Sequence, residues 1–167
     1  MNFDMAFETL IGHEGGFTDN PKDKGNWTGG KIGVGQLTGT KYGISARSYP
    51  GENIKEMTLV RAKDIYQRDY WWKAGCDLVP DCVKFDLFDT AVNAGPTSAI
   101  KMIQRAAGVF DDGVIGPKTM QAFSTIDPQL LDKRFSGHRL DHLNNLESWP
   151  DFGRGWAQRI AENLMKD

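Results

Sequence analysis

The sequence has little of what would tie it to a membrane, a polyanion or an oxidised scaffold. Only two cysteines occur in 167 residues, Cys76 and Cys82. Two thiols are too few to staple a small secreted fold, and no partner residues complete a zinc ribbon around them. They read as reduced thiols, with a local disulfide as the other possibility. No uninterrupted apolar run approaches the roughly 20 residues that span a bilayer, so no stable membrane insertion is expected. Residues 1–10 carry Asp4 and Glu8 where an export signal would carry a basic stretch and an apolar core. Charge of one sign is missing as well: 20 Lys and Arg stand against 22 Asp and Glu. That balance offers no field for nucleic acid or anionic lipid, so binding must depend on a shaped site.

The remainder belongs to an ordinary globular protein. A 40% hydrophobic and 11% aromatic composition with seven prolines supports a packed core. The length allows one domain, or a main lobe with a small helical lobe beside it. Phe3, Phe7, Leu10 and Ile11 recur at helical spacing, with Gly15-Gly16 as the stop. Residues 20–49 are glycine-rich, with Ile32, Val34 and Leu37 in loose alternation, which predicts a loop and one or two small β-hairpins. Thr58 then caps a helix running through Leu59, Ala62, Ile65 and Tyr66 to Trp72. Helices are expected over residues 84–94, ended by Gly95-Pro96, and 98–107, ended by Gly108. Three more follow: one after Pro117, a long one from Pro128 with Leu131 and Phe135, and a last with Trp156, Ile160 and Leu164. The expected class is α+β, mainly α, with a small glycine-rich β element after the first helix.

One residue in the first helical pattern is out of place. At about 100° per residue, Glu14 falls in the sector occupied by Phe3, Phe7 and Leu10. Desolvation there, and the partial negative charge of a helix C-terminus, would both favour the protonated acid. That is the state a general acid needs. The plainer alternative is a helix that has frayed by Glu14, leaving the carboxylate in water.

The string Glu14-Gly15-Gly16-Phe17, followed by Asp23 and by Thr40-Lys41-Tyr42-Gly43-Ile44-Ser45, resembles the signature of glycoside hydrolase family 108 muramidases, found among phage endolysins. The arrangement is shared with phage-type lysozymes more widely. The resemblance implies a lysozyme-like fold with Glu14 as catalytic acid, Asp23 as second carboxylate and Thr40 as the hydroxyl that helps hold water. It also places Tyr42 on the substrate side. An insertion separates Asp23 from Thr40, and Thr28 in Asn26-Trp27-Thr28-Gly29 competes for the threonine role. Either threonine, and Asp23 itself, can equally be a turn residue on chemistry alone.

Further on, Asp89-Thr90-Ala91-Val92-Asn93-Ala94-Gly95, Ile103-Gln104 and Asp112-Gly113-Val114-Ile115-Gly116-Pro117-Lys118-Thr119 resemble the peptidoglycan-binding region that accompanies this family. The expected division is a catalytic portion over 1–82 and a helical lobe over 83–167, within one lysozyme-like domain spanning 1–167. Residues 112–119 also have a simple reading as a turn that starts the next helix. In the 84–94 helix, Phe85, Phe88 and Val92 share one face. Asp86, Asp89 and Asn93 share the other, which is either solvated or lining a cleft. Asp89 and Asn93 are therefore candidate substrate contacts.

Rival chemistries find less support. His13-Glu14 lacks the second histidine of a helical zinc motif, since position 17 is Phe17. His138 and His142 have metal-pair spacing, with Asp141 nearby, but no third ligand is evident. No serine elbow or phosphate loop occurs. The expectation is an enzyme without cofactor or metal that cuts the β-1,4 bond between N-acetylmuramic acid and N-acetylglucosamine, with inversion. It would act as a monomer on peptidoglycan glycan strands, made in the host cytoplasm without a signal peptide and acting on the periplasmic wall after release. The alternatives are a lytic transglycosylase, or a cell-wall-binding protein that has lost catalysis.

Overall fold

The computed structural model describes residues 1–12 and 16–165; Glu14, with His13 and Gly15, lies outside the described residues. The class is as expected. Seven helices and a two-stranded antiparallel sheet form among the described residues, giving an α+β, mainly α, lysozyme-like fold. Packing divides the chain at Tyr66, between a unit of Phe7–Tyr66 and a unit of Met1–Ala6 with residues 67 onward.

The first helix, α1 (Phe3–Ile11), buries Phe3, Ala6 and Phe7. It ends earlier than the glycine pair suggested. Gly12 takes φ +55 and donates its N–H to the Glu8 carbonyl at 3.0 Å, a left-handed C-terminal stop.

In the Phe7–Tyr66 unit the β element is smaller than the alternation of Ile32, Val34 and Leu37 implied. These three are exposed, at 62%, 49% and 37%: the chain turns through positive-φ glycines, and its pairing there is a lone bridge of Trp27 with Leu37. The true strands are β1 (Thr40–Lys41) and β2 (Ile44–Ser45), with Thr40 opposite Ser45. Tyr42 (φ +50) and Gly43 (φ +74) form the two-residue turn, whose left-handed pair matches strand twist. A Cβ on Gly43 would lie 2.3 Å from the Tyr66 hydroxyl, which donates to the Tyr42 carbonyl. Helix α2 (Leu59–Tyr66) begins as expected, with the Thr58 hydroxyl accepting from the Arg61 N–H. It buries Ile65 and Tyr66 and packs Tyr66 edge-on to Phe7. Glu52 and Arg61 form a two-pronged ion pair that ties the preceding loop to this helix.

The second unit is built on α3 (Asp81–Ala94), α4 (Pro96–Ala106), α5 (Pro117–Thr125), α6 (Pro128–Asn144) and α7 (Trp149–Leu164). Proline opens four of these within the first two positions, where its missing N–H costs nothing. Phe3, Trp71 and Phe88 meet edge to face, with centroids 5.5–5.9 Å apart. Leu87, Ile103, Leu131 and Phe135 fill the interior beside them. Cys76 is a buried thiol, its pKa pushed up by burial, and Cys82 is a half-buried one; neither is in a disulfide.

The polar face of α3 corrects the sequence expectation. Asp86 and Asp89 are neither solvated nor open; they are 3% and 1% exposed. Helices α6 and α7 bring cations and an amide to them. Arg139 lies 2.5 Å from Asp86 and 2.6 Å from Asp89, Arg159 contacts Asp89 at 3.2 Å, and Asn163 donates to Asp86. Buried carboxylates persist when paired in this way. Burial pushes the Asp89 carboxyl up from its ordinary range, against the pull of Arg139 and Arg159.

Residues 112–119 follow the simple reading. The buried Gln104 side chain donates to Asp112 Oδ1, the Val114 carbonyl and Thr119 Oγ1, and accepts the Gly113 N–H. One fully enclosed amide thus fixes the turn, and Gly113 (φ +81) supplies the backbone it needs.

Candidate active site

Of the expected residues, Thr40 and Asp23 both bond to Asn26, a buried amide of the Phe7–Tyr66 unit. Asn26 ends a single 3-10 turn, Lys24–Asn26, and is fully buried. Its Nδ2 donates to the Asn20 carbonyl at 3.0 Å. An amide nitrogen must face that carbonyl, so Oδ1 points the other way, where it accepts the Thr40 hydroxyl at 2.7 Å. The Asn26 carbonyl also receives the N–H groups of Thr38 and Gly39. Thr40 is held from its other side by Thr18: the two exchange both backbone hydrogen bonds, at 2.8 and 2.9 Å. Gly39, at φ +89, makes that approach possible, since a Cβ there would meet Phe17 and the Thr18 carbonyl at 2.6 Å.

The chemical consequence lies in the direction of one proton. The Thr40 hydroxyl spends its hydrogen on Asn26, so the lone pairs left on Oγ1 can only accept. Thr28 is placed differently. Its hydroxyl accepts the Gln36 N–H at 2.9 Å and closes a local loop with Gly35, where a Cβ would stand 2.3 Å from Thr28 Oγ1.

Asp23 caps the 3-10 turn. Its Oδ1 accepts the Gly25 N–H at 2.8 Å, which fixes the side chain in an exposed position. Oδ2 has no hydrogen-bond partner among the described residues. Tyr42, at the hairpin tip, is half-buried, with the Lys41 ammonium 5.4 Å from its ring centre. An open polar groove of about 510 Å³ lies in the same unit, lined by Phe17, Asp19, Gln36, Thr38, Asn53 and Lys55 among others.

In the other unit, both oxygens of Asp89 are engaged, Oδ2 by Arg139 and Oδ1 by Arg159 and Asn93. Asn93 is exposed and uses its Nδ2 on the Asp89 carbonyl and carboxylate. His138 and His142 lie on α6, and no group of three metal-ligating side chains gathers among the described residues. No helix among them is long and apolar enough to cross a membrane.

Sequence reasoning missed Asn26. It is one polar residue among many in a glycine-rich stretch, and its partners Asn20 and Thr40 lie six and fourteen positions away. No local pattern marks it.

Residues 7–95 match the family described as Glycosyl hydrolase 108, and residues 98–161 match the one described as Predicted Peptidoglycan domain. Together these define a glycoside hydrolase that acts on peptidoglycan. The chain belongs to the glycosyl hydrolase 108 family, whose model spans more than half of it. Among solved structures it is similar to SagA of Brucella abortus, at 31% identity and a TM-score of 0.80, over 98% of this chain and 92% of that one. No curated protein matched.

Proposed function

We propose that the chain is an N-acetylmuramidase that hydrolyses the β-1,4 bond between N-acetylmuramic acid and N-acetylglucosamine. Glu14 is the general acid, while Asp23 and Thr40 hold the attacking water. The observation that carries this reading is the Asn26–Thr40 hydrogen bond, which leaves the Thr40 oxygen as a pure acceptor for a water proton. Asp23 complements it, with one oxygen tied to Gly25 and the other open to take the second proton. Thr28, committed to Gln36, is the weaker candidate.

In the reaction, Glu14 gives its proton to the glycosidic oxygen as the bond to the anomeric carbon breaks. The water oxygen bonds to that carbon from the opposite face and loses a proton to Asp23. Tyr42 flanks the substrate from the hairpin tip. Asp89 serves indirectly, by holding Arg159 and Asn93. The likeness of the motifs to those of phage endolysins supports a lytic role for a monomer that acts on periplasmic peptidoglycan.

Purified sacculi digested with the chain, reduced with borohydride and analysed by mass spectrometry should yield new ends as N-acetylmuramitol. New ends as N-acetylglucosaminitol would reassign the bond, and intact glycan strands would overturn the activity.

A further inference from the structure

The second unit holds a pocket whose chemistry differs from that of the glycosidic site. It measures about 120 Å³ and lies where α3, α6 and α7 meet, above an apolar floor of Met102, Leu143, Leu146 and Ile160. Its charged lining residues are Asp89, Arg139 and Arg159, with His142 beside them, and Asp86, outside the lining, pairs with Arg139.

Besides His142, Asn93 and Arg159 keep polar functions open over that floor. The Asn93 Nδ2 is spent on two acceptors, so its Oδ1 is left as an acceptor with no partner among the described residues. Arg159, half exposed, touches Asp89 through Nη1 alone, which leaves Nε and Nη2 as donors. One acceptor and one donor above apolar side chains complement a secondary amide bearing a methyl group. Its N–H would reach Asn93, its carbonyl Arg159, and its methyl the floor. At the rim Trp156 stands 5.8 Å from Phe152, itself 58% exposed, with the rings inclined by 32°. Paired aromatic faces of this kind suit the apolar face of a pyranose ring.

We propose that this pocket is a subsite for an N-acetylated amino sugar, with the acetamido group bound between Asn93 and Arg159 and the ring against Trp156. The assignment rests on the chain acting on peptidoglycan, and places a second sugar contact in the helical unit.

The test uses the full chain carrying Glu14→Gln, titrated with the tetramer of β-1,4-linked N-acetylglucosamine and, separately, with the deacetylated tetramer, followed by NMR. The acetylated tetramer should shift the Trp156 indole N–H and the Asn93 side-chain amide, and the deacetylated one should not. Arg159→Gln should weaken binding about tenfold, as for one charge-assisted hydrogen bond. Asn93→Ala, at an exposed position, should weaken it about fivefold. Equal shifts with both tetramers, or unmoved Trp156 and Asn93 signals, would overturn the subsite. The native chain's cleavage of sacculi is read separately, so failure of the subsite is distinct from failure of the hydrolase assignment.

Discussion

Glu14→Gln is expected to lower the rate of peptidoglycan cleavage at least about 100-fold while leaving thermal unfolding unchanged. Glutamine keeps the size and shape of the side chain and can still donate a weak hydrogen bond, but it has no proton to give to the leaving glycosidic oxygen. A folded Glu14→Gln chain that clears sacculi at the native rate would remove the acid from the mechanism. Activity is read by release of soluble muropeptides at fixed enzyme concentration, and folding by the melting curve.

Arg139→Leu should have the largest effect on stability, a loss of about 3–5 kcal/mol in denaturant unfolding. The substitution leaves two carboxylates on α3 buried, with Arg159 the one cation still paired with them among the described residues, beside the Asn93 and Asn163 amides. The pH dependence gives the mechanism away. Burial already raises the Asp89 pKa, and removing its strongest counter-charge raises it further. A carboxyl whose folded pKa exceeds its unfolded one binds its proton more readily in the folded state. The variant should therefore regain stability as pH falls from 7 toward the ordinary carboxylate range. A loss below about 1 kcal/mol, the size of an exposed pair, or one that does not change with pH, would show that the cluster is not what holds α3 to α6.

What could be read in the sequence was punctuation and periodicity. Thr58, Gly95, Gly108, Pro117 and Pro128 mark helix ends by local chemistry, and the helices stand where those residues put them. The end of α1 was ambiguous because Gly12 and the Gly15-Gly16 pair both offer a left-handed stop, and only the backbone shows that Gly12 takes it. The buried face of α3 was misread for a different reason. Helical periodicity assigns carboxylates to water, and the arginines that make burial tolerable lie 50 and 70 positions away from Asp89. Of the candidate site, Asp23 and Thr40 were legible only through motif likeness. Asp23 and Thr40 are turn-forming residue types in a turn-rich segment, and what distinguishes Thr40 from Thr28 is a hydroxyl proton aimed at a buried amide.

The central claim is that water, held by Asp23 and Thr40, attacks the face opposite the one on which Glu14 donates its proton. The most direct measurement is proton NMR of the new anomeric signals within minutes of cleavage, before mutarotation, with mass spectrometry of the same sample. Cleavage of the β-1,4 bond by inversion predicts an α-anomeric N-acetylmuramic acid end at first observation, relaxing later to the mixture. A β-anomeric end would replace the held water with a covalent intermediate, and a 1,6-anhydro end would contradict hydrolysis itself.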